Sequence, residues 1–144
     1  MRLIKLSKDV YGFDTVEACI AYFKHVLPWQ KYRFNIVGEG SHISSSNLDK
    51  NETIVFSYRG IIIAIGIAEN PIIEDRRVVA IILDGSKLKI FDKTIYMSDI
   101  EKRLIAKGYD KAITNSQGWN ILEGKFEKET IEFLMKADWA DFVD

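Results

Sequence analysis

Residues 52–70 constrain the fold more than any other part of this 144-residue chain. Two runs rich in β-branched apolar residues, 53–58 and 61–68, meet at a short turn that contains Arg59 and Gly60. This pattern predicts a β-hairpin of adjacent antiparallel strands. The second run is apolar at nearly every position, so both of its faces need cover. The sequence therefore predicts a strongly curved sheet or small barrel with this hairpin at its centre.

The composition indicates one domain, with boundaries at residues 1 and 144. The chain is 47% hydrophobic and 28% charged, which is the usual balance of a globular domain of this size. Its 20 basic and 21 acidic residues give a net charge of −1, which excludes a globally basic surface for nucleic acid and leaves a local basic face open. No apolar run reaches the roughly 18 residues that span a bilayer, and the first residues lack the apolar core of a signal peptide. We therefore expect a cytoplasmic protein.

Few side chains of the chain suit metal or redox chemistry. Cys19 is the single cysteine, which excludes an intramolecular disulfide. With only His25 and His42 as imidazoles, a Cys/His zinc site is not expected. We expect neither a metal nor another cofactor.

The segments around the hairpin predict helices and further strands. Upstream, the pattern predicts a strand over residues 2–6, a helix over 14–27 that begins at Asp14 and packs on the sheet, and a loop over 29–49. Downstream, a break at residues 69–71 precedes a second hairpin with strands over 78–83 and 87–91. A capping box at Ser98 and Glu101 then predicts a helix that ends at Gly108. Short strands over 111–114 and 119–122 and a final helix over 126–135 complete an α+β pattern with a mostly antiparallel sheet.

Five segments follow one another in a recognisable order: KLSKDVYGFDTVEACIAYF, IVFSYRGIIIAIGIAEN, VVAIILD, SDIEKRL and SQGWNILEGKF. This order resembles that of the PUA-like superfamily, whose EVE, YTH and ASCH members are small barrels flanked by helices. The chain resembles in particular the domains that precede HNH nuclease domains in some bacterial restriction proteins. The resemblance implies a small, curved, mostly antiparallel β-barrel flanked by helices.

The same resemblance implies a non-catalytic module that binds DNA or RNA and holds a flipped or modified base in an aromatic pocket. The two histidines cannot supply an HNH metal site, so the chain would be a stand-alone reader or the partner of a separately encoded nuclease. We expect a bacterial or phage protein that acts without a membrane.

A base pocket needs flat aromatic platforms, hydrogen-bonding groups for the base edge and cations for the phosphates. Aromatic and basic residues interleave in two places, after the first helix and at the hairpin turn, and Trp119 stands beside a further turn. Trp29 and Trp119 are the strongest candidates because each lies outside an apolar period. The alternative interpretation is that these aromatic side chains pack in the core. The predicted nucleic-acid-binding residues are Trp29, Tyr32, Arg33, Ser57, Tyr58, Arg59 and Trp119.

Two rival functions stay open. Asp110, Glu123 and Lys125 form a D…E-x-K pattern, in which two carboxylates hold Mg²⁺ and the lysine supports the attacking water. That geometry requires residues 121–126 to form a strand, so that positions 123 and 125 share a face. The near-neutral charge also fits a phage or mobile-element module that binds a host protein.

Overall fold

The computed structural model describes residues 1–6, 11–36, 48–113, 120–136 and 142–143. The strands are β1 (Arg2–Leu6), β2 (Arg33–Asn35), β3 (Thr53–Tyr58), β4 (Ile61–Glu74), β5 (Arg77–Leu83), β6 (Lys89–Phe91), β7 (Asn120–Ile121) and β8 (Phe142–Val143). The α-helices are α1 (Val16–Ala21), α2 (Met97–Ala106) and α3 (Lys125–Leu134). Helix α1 continues directly as a π-helix over Tyr22–Val26, and 3-10 turns cover Pro28–Gln30 and Gly85–Lys87. No helix in the described ranges is long and apolar enough to cross a membrane.

The predicted central hairpin is confirmed as strands β3 and β4. They pair antiparallel across a two-residue turn in which Arg59 and Gly60 both have positive φ, at 50° and 74°. Such a turn matches the twist of the two strands that it joins. Strand β1 pairs parallel to β3, and the other pairings are antiparallel. The fold is therefore α+β with a mostly antiparallel sheet, as predicted.

The strand order is β2-β5-β4-β3-β1-β7, and outside this path β6 pairs with β4 and β8 pairs with β6. Within the described residues the end strands β2 and β7 do not pair with each other, so the curved sheet stays open and does not close into a full barrel. Strand β4 takes part in two portions of the sheet. Its first half pairs with β3 and β6, and its second half pairs with β5.

Two sequence predictions around β4 are wrong. The break predicted at residues 69–71 does not occur, because β4 continues through Pro71 to Glu74. Register shifts lie on both sides of this proline, between Ala68 and Asn70 and between Ile72 and Ile73. Irregular pairing of this kind is where a sheet tolerates a residue without an N–H group. The second predicted hairpin is also absent, since β6 leaves β5 at the turn and pairs with β4.

The sheet is covered on both faces, as the apolar run in β4 predicts. On one face the first helical segment packs through Cys19, Phe23 and Leu27 against Ile54, Phe56 and other buried residues of the strands. On the other face α2 and α3 pack through Leu104 and Leu134 on a second cluster that contains Leu3, Val55, Ile62 and Ile65. A bulge gives β4 one extra residue opposite Phe56 and Ser57. Because of it, the adjacent Ile63 and Ala64 join the same cluster.

The two predicted helix caps differ from those observed. Thr15, not Asp14, caps α1, and its hydroxyl oxygen accepts a 3.0 Å hydrogen bond from the Ala18 amide. Helix α2 begins after Tyr96, so Ser98 does not cap it. The Glu101 carboxylate instead accepts a 2.7 Å hydrogen bond from the Ile113 amide. Glu101 therefore anchors the chain that follows α2.

Candidate functional site

Trp29 lies on a turn that the backbone holds firmly. The Tyr32 amide donates to the Leu27 carbonyl at 2.9 Å, and the Lys31 amide donates to the Pro28 carbonyl at 3.0 Å. This pair of bonds is the Schellman arrangement that ends many helices. Trp29 lies on this turn and is 89% exposed. No other large hydrophobic residue in the described part of the chain is more exposed.

The same turn carries backbone strain. Lys31 and Tyr32 have φ values of 55° and 61°, in the left-handed region that favours glycine. Two successive residues of this kind persist only where the surrounding structure enforces them, and such strain clusters at functional sites. The π-helix directly before the turn is a second rare feature with the same association.

A cavity of about 210 Å³ opens beside this turn. The π-helix and the turn form one wall, and the Gly85–Lys87 turn and strand β6 form the other. The floor is apolar, and the polar groups lie on the side of the helix and the turn. The lining residues are Phe23, Lys24, His25, Pro28, Tyr32, Gly85, Leu88 and Ile90.

Gly85 gives the Tyr32 ring its place in this cavity. A β-carbon at position 85 would lie 2.4 Å from Cε2 of Tyr32, which is closer than two carbon atoms can approach. The Leu83 amide also donates to the Tyr32 carbonyl at 2.9 Å. The last residue of β5 therefore holds the backbone of Tyr32, and the turn after β5 leaves room for its ring.

Gly85→Ala is expected to lower the free energy of unfolding by about 1–3 kcal/mol, because the new methyl group overlaps the Tyr32 ring. Urea unfolding would measure the loss. In a Tyr32→Ala background the same substitution should cost much less, since the overlapping ring is gone. An equal cost in both backgrounds would contradict this steric explanation.

Three cations lie on the elements that form or adjoin the cavity. Lys24 lines the cavity, Lys31 is exposed on the turn, and Arg33 is exposed on β2, where its Nε donates to the Asn35 side chain at 3.0 Å. No carboxylate occurs among the described lining residues. Asp84 stands next to Gly85, and hydrogen bonds from the Ser86 hydroxyl and amide hold the pKa of its carboxyl below the usual value. The ionised Asp84 carboxylate therefore offsets part of the positive charge of these cations.

Three of the seven predicted binding residues, Trp29, Tyr32 and Arg33, lie on the turn or on the strand that follows it, and of these three Tyr32 lines the cavity. Ser57 and Tyr58 are only 2% and 0% exposed, so neither offers a surface to a ligand. The Ser57 hydroxyl donates to the Ile4 carbonyl at 3.4 Å, and the Tyr58 hydroxyl donates to the Phe13 carbonyl. Both residues are core positions, so the alternative interpretation, packing in the core, holds for them and the prediction that they contact nucleic acid is corrected.

The remaining two predicted residues lie elsewhere. Arg59 is exposed on the β3–β4 turn, with its guanidinium carbon 5.3 Å from the centre of the Tyr58 ring, and it does not line the cavity. Trp119 lies outside the described residues. Lys24, His25 and Gly85 line the cavity and were not predicted. The two segments that carry them are sixty residues apart, and only the tertiary fold joins them.

The D…E-x-K interpretation lacks the strand that it requires. Strand β7 ends at Ile121, and Lys125 is the first residue of α3. Glu123 and Lys125 therefore do not share a face of one strand. Among the residues that the structure describes, no group of three or more His, Cys, Asp or Glu side chains could hold a metal ion.

Burial raises the pKa of the Cys19 thiol to about 12, so this side chain is not a thiolate at neutral pH.

The whole chain is similar in structure to ASCH from Zymomonas mobilis, as seen in its crystal structure. The match has a TM-score of 0.54, covers 99% of this chain and 97% of that chain, and has 9% sequence identity. At this identity the likeness shows the fold alone. It shows that this chain shares the α+β fold of that ASCH structure, in agreement with the fold that the order of sequence segments implies.

Sequence comparison adds nothing to this structural likeness. No protein-family model matches the chain. No curated protein matches it either. The function must therefore be argued from the site itself.

Proposed function

We propose that this chain is a non-catalytic nucleic-acid-binding module that contacts its ligand through Trp29, Tyr32, Arg33 and the cavity beside them. The observation that carries the proposal is the exposure of Trp29 on a rigid turn next to a cavity with cations on the adjoining elements. A large aromatic ring is seldom left in water, and an indole face is a sequence-tolerant platform for a base.

In this proposal the aromatic ring binds the base and the cations bind the phosphates. The indole of Trp29 stacks on an unpaired base, which is worth about 1–3 kcal/mol per base. Lys24, Lys31 and Arg33 contact phosphates on either side of that base and release counterions from the strand. Because the turn is already fixed by its hydrogen bonds, little ordering is needed when the ligand binds.

The cavity supports the finer proposal that an extruded or modified base is recognised. Its volume of about 210 Å³ exceeds the roughly 150 Å³ of an engineered apolar cavity that admits benzene, so a flat ring fits. Phe23, Leu88 and Ile90 provide an apolar floor. Tyr32 and His25 provide a hydrogen-bonding group each for the edge of the base. A base that is already unpaired or damaged enters at the lowest cost in unstacking.

Trp29→Ala is expected to weaken binding of a single-stranded oligonucleotide by about 1–3 kcal/mol, because one stacking platform is lost. Fluorescence anisotropy with labelled DNA and RNA, with and without modified bases, would measure this. Tyr96→Ala is the matched control, since Tyr96 is 53% exposed at the start of α2 and does not line the cavity.

Arg33→Gln should lower the slope of log K against log salt by about 0.7 for a single strand, and Lys102→Gln on α2 should leave it unchanged.

Several results would reject the proposal. One is the absence of binding to every oligonucleotide of the panel at low salt. Another is an equal loss of affinity in Trp29→Ala and Tyr96→Ala. If Trp29→Ala weakens binding of a protein whose affinity does not depend on salt, the protein-interaction rival is favoured instead.

A further inference from the structure

The outer edge of strand β2 carries backbone groups that point away from the sheet. The Tyr32 carbonyl accepts a hydrogen bond from β5 at 2.9 Å, and the Ile36 amide donates to β5 at 2.9 Å. In a planar trans peptide the C=O and the N–H point in opposite directions. The Tyr32 C=O shares its peptide with the Arg33 N–H, which therefore points outward. The Ile36 N–H shares its peptide with the Asn35 C=O, which points outward for the same reason.

Two further backbone groups of β2 point the same way. In an antiparallel pair, positions that exchange hydrogen bonds with the neighbouring strand alternate with positions that do not. Tyr32 and Ile36 bond to β5, so Phe34 between them does as well. The peptides on either side of Phe34 therefore direct the Arg33 C=O and the Asn35 N–H outward. No described strand lies on this side of β2, so four backbone groups are open to a partner.

This edge lacks a protection that another part of the sheet has. Residues 70–74 of β4 pair with β5 and include Pro71, which has no N–H to offer an added strand. Strand β2 contains no proline and pairs with β5 in unbroken register. Its residues Arg33 and Asn35 are exposed. A strand edge with open N–H and C=O groups is a template for pairing with another chain.

We propose that β2 pairs antiparallel with β2 of a second copy of this chain, about a two-fold axis at Phe34. This arrangement places Arg33 of each copy opposite Asn35 of the other. Each such pair exchanges two backbone hydrogen bonds, so every outward group of both strands is satisfied. One self-complementary patch then serves both partners, which is the commonest form of protein assembly. The contact uses backbone groups and does not depend on nucleic-acid binding.

The side chains favour a second copy over an unrelated strand. The Arg33 Nε donates to Asn35 Oδ1 at 3.0 Å within one chain, so the two side chains lie on the same face of β2. In the dimer each guanidinium has one amide oxygen along its own strand and another directly across from it. The two guanidinium groups take the diagonal positions, where backbone separations are about 7–8 Å, and like charges do not stand opposite each other.

Sedimentation velocity at chain concentrations up to about 1 mM, combined with amide hydrogen exchange measured by NMR, tests the proposal. Three residues on each side bury far less than the roughly 1,200 Å² of a stable interface, so we expect a weak, concentration-dependent dimer. Exchange of the Arg33 and Asn35 amides should slow as the fraction of dimer rises. The Phe34 amide is the internal control, because it is already bonded to β5 in the monomer.

Asn35→Pro is the blocking variant, because it removes an outward N–H and no hydrogen bond to β5. It should stay monomeric at every concentration, and thermal unfolding would verify that it folds. Asn35→Ala is the matched control, since it keeps the N–H and should still dimerise.

If Asn35→Pro does not fold, the amide exchange of the natural chain decides the question alone. The proposal is overturned if the natural chain stays monomeric at the highest concentration or if the amides that slow lie on another surface. It is also overturned if Asn35→Pro folds and dimerises as well as the natural chain.

Discussion

Phe56→Ala is expected to lower the free energy of unfolding by about 3–5 kcal/mol. The ring of Phe56 is fully buried in the middle of β3, and its centre lies 4.9 Å from the ring centres of both Phe23 and Phe34. It therefore joins the central hairpin to the helical segment and to β2. Its removal leaves a cavity that these rigid rings cannot fill by small movements. Urea unfolding at equilibrium, followed by circular dichroism, would measure the change.

Trp29→Ala is the matched control for this prediction. It removes a larger aromatic side chain that is 89% exposed, so the free energy of unfolding should change by less than about 0.5 kcal/mol. If Phe56→Ala does not fold, Phe56→Leu keeps part of the apolar volume and should give a smaller, measurable loss. Similar losses for Phe56→Ala and Trp29→Ala would contradict the described core.

Arg2→Ala is expected to cost about 1–3 kcal/mol of stability, because the partly buried Glu52 carboxylate loses its charged partner and keeps only the 3.2 Å hydrogen bond from the Asp49 amide. The Arg2 Nε lies 3.1 Å from Glu52 Oε2, and the two side chains are 4% and 11% exposed. The pair joins the start of β1 to the residue before β3. Urea unfolding of the single variants and of the double variant would give the coupling energy.

The double variant Arg2→Met with Glu52→Gln distinguishes this explanation from a simple loss of packing. It should be clearly more stable than Arg2→Ala, since no unpaired charge is left and the apolar stem of residue 2 is kept. Glu129→Gln serves as a control at an exposed pair, where Glu129 lies 3.4 Å from Arg103 and Arg103 is 42% exposed, because it leaves the contact between Arg103 and the Phe133 ring in place. A pair of this kind contributes only about 0–1 kcal/mol. Equal losses at both pairs would contradict the prediction.

The sequence predicts local features of the fold and misses most long-range ones. The β3–β4 hairpin follows from a two-residue turn between apolar runs, and the cover on both faces follows from the run in β4. Both signals lie within a few residues of each other. The sequence does not predict the partner of β6. The turn residues after β5 have the same pattern whether β6 pairs with β5 or crosses to β4. From the sequence alone, Pro71 indicates a break in the strand. The irregular pairing that accommodates the proline is visible only in the structure.

The candidate site was predictable in part for the same reason. Trp29 follows Pro28 and lies outside the apolar period of the first helix, which favours an exposed ring. Tyr58 has no such distinction, since it continues the alternation of Ile54 and Phe56 and packs with them. The cavity forms only where residues 23–32 and 85–90 lie side by side in the fold, and the sequence does not show this contact. The π-helix has no sequence signature that separates it from an ordinary helical turn.

Strand β1 sets the order in which the sheet can be completed during synthesis. It lies between β3 and β7, and Arg2 pairs with Ile54 on one side and with Ile121 on the other. At about 5–20 residues per second, on the order of ten seconds separate the emergence of the first strand from that of its last partner. During this interval one edge of β1 has no partner, and its apolar side chains lack the cover of α3. Contacts so distant in sequence predict slow refolding of the chain.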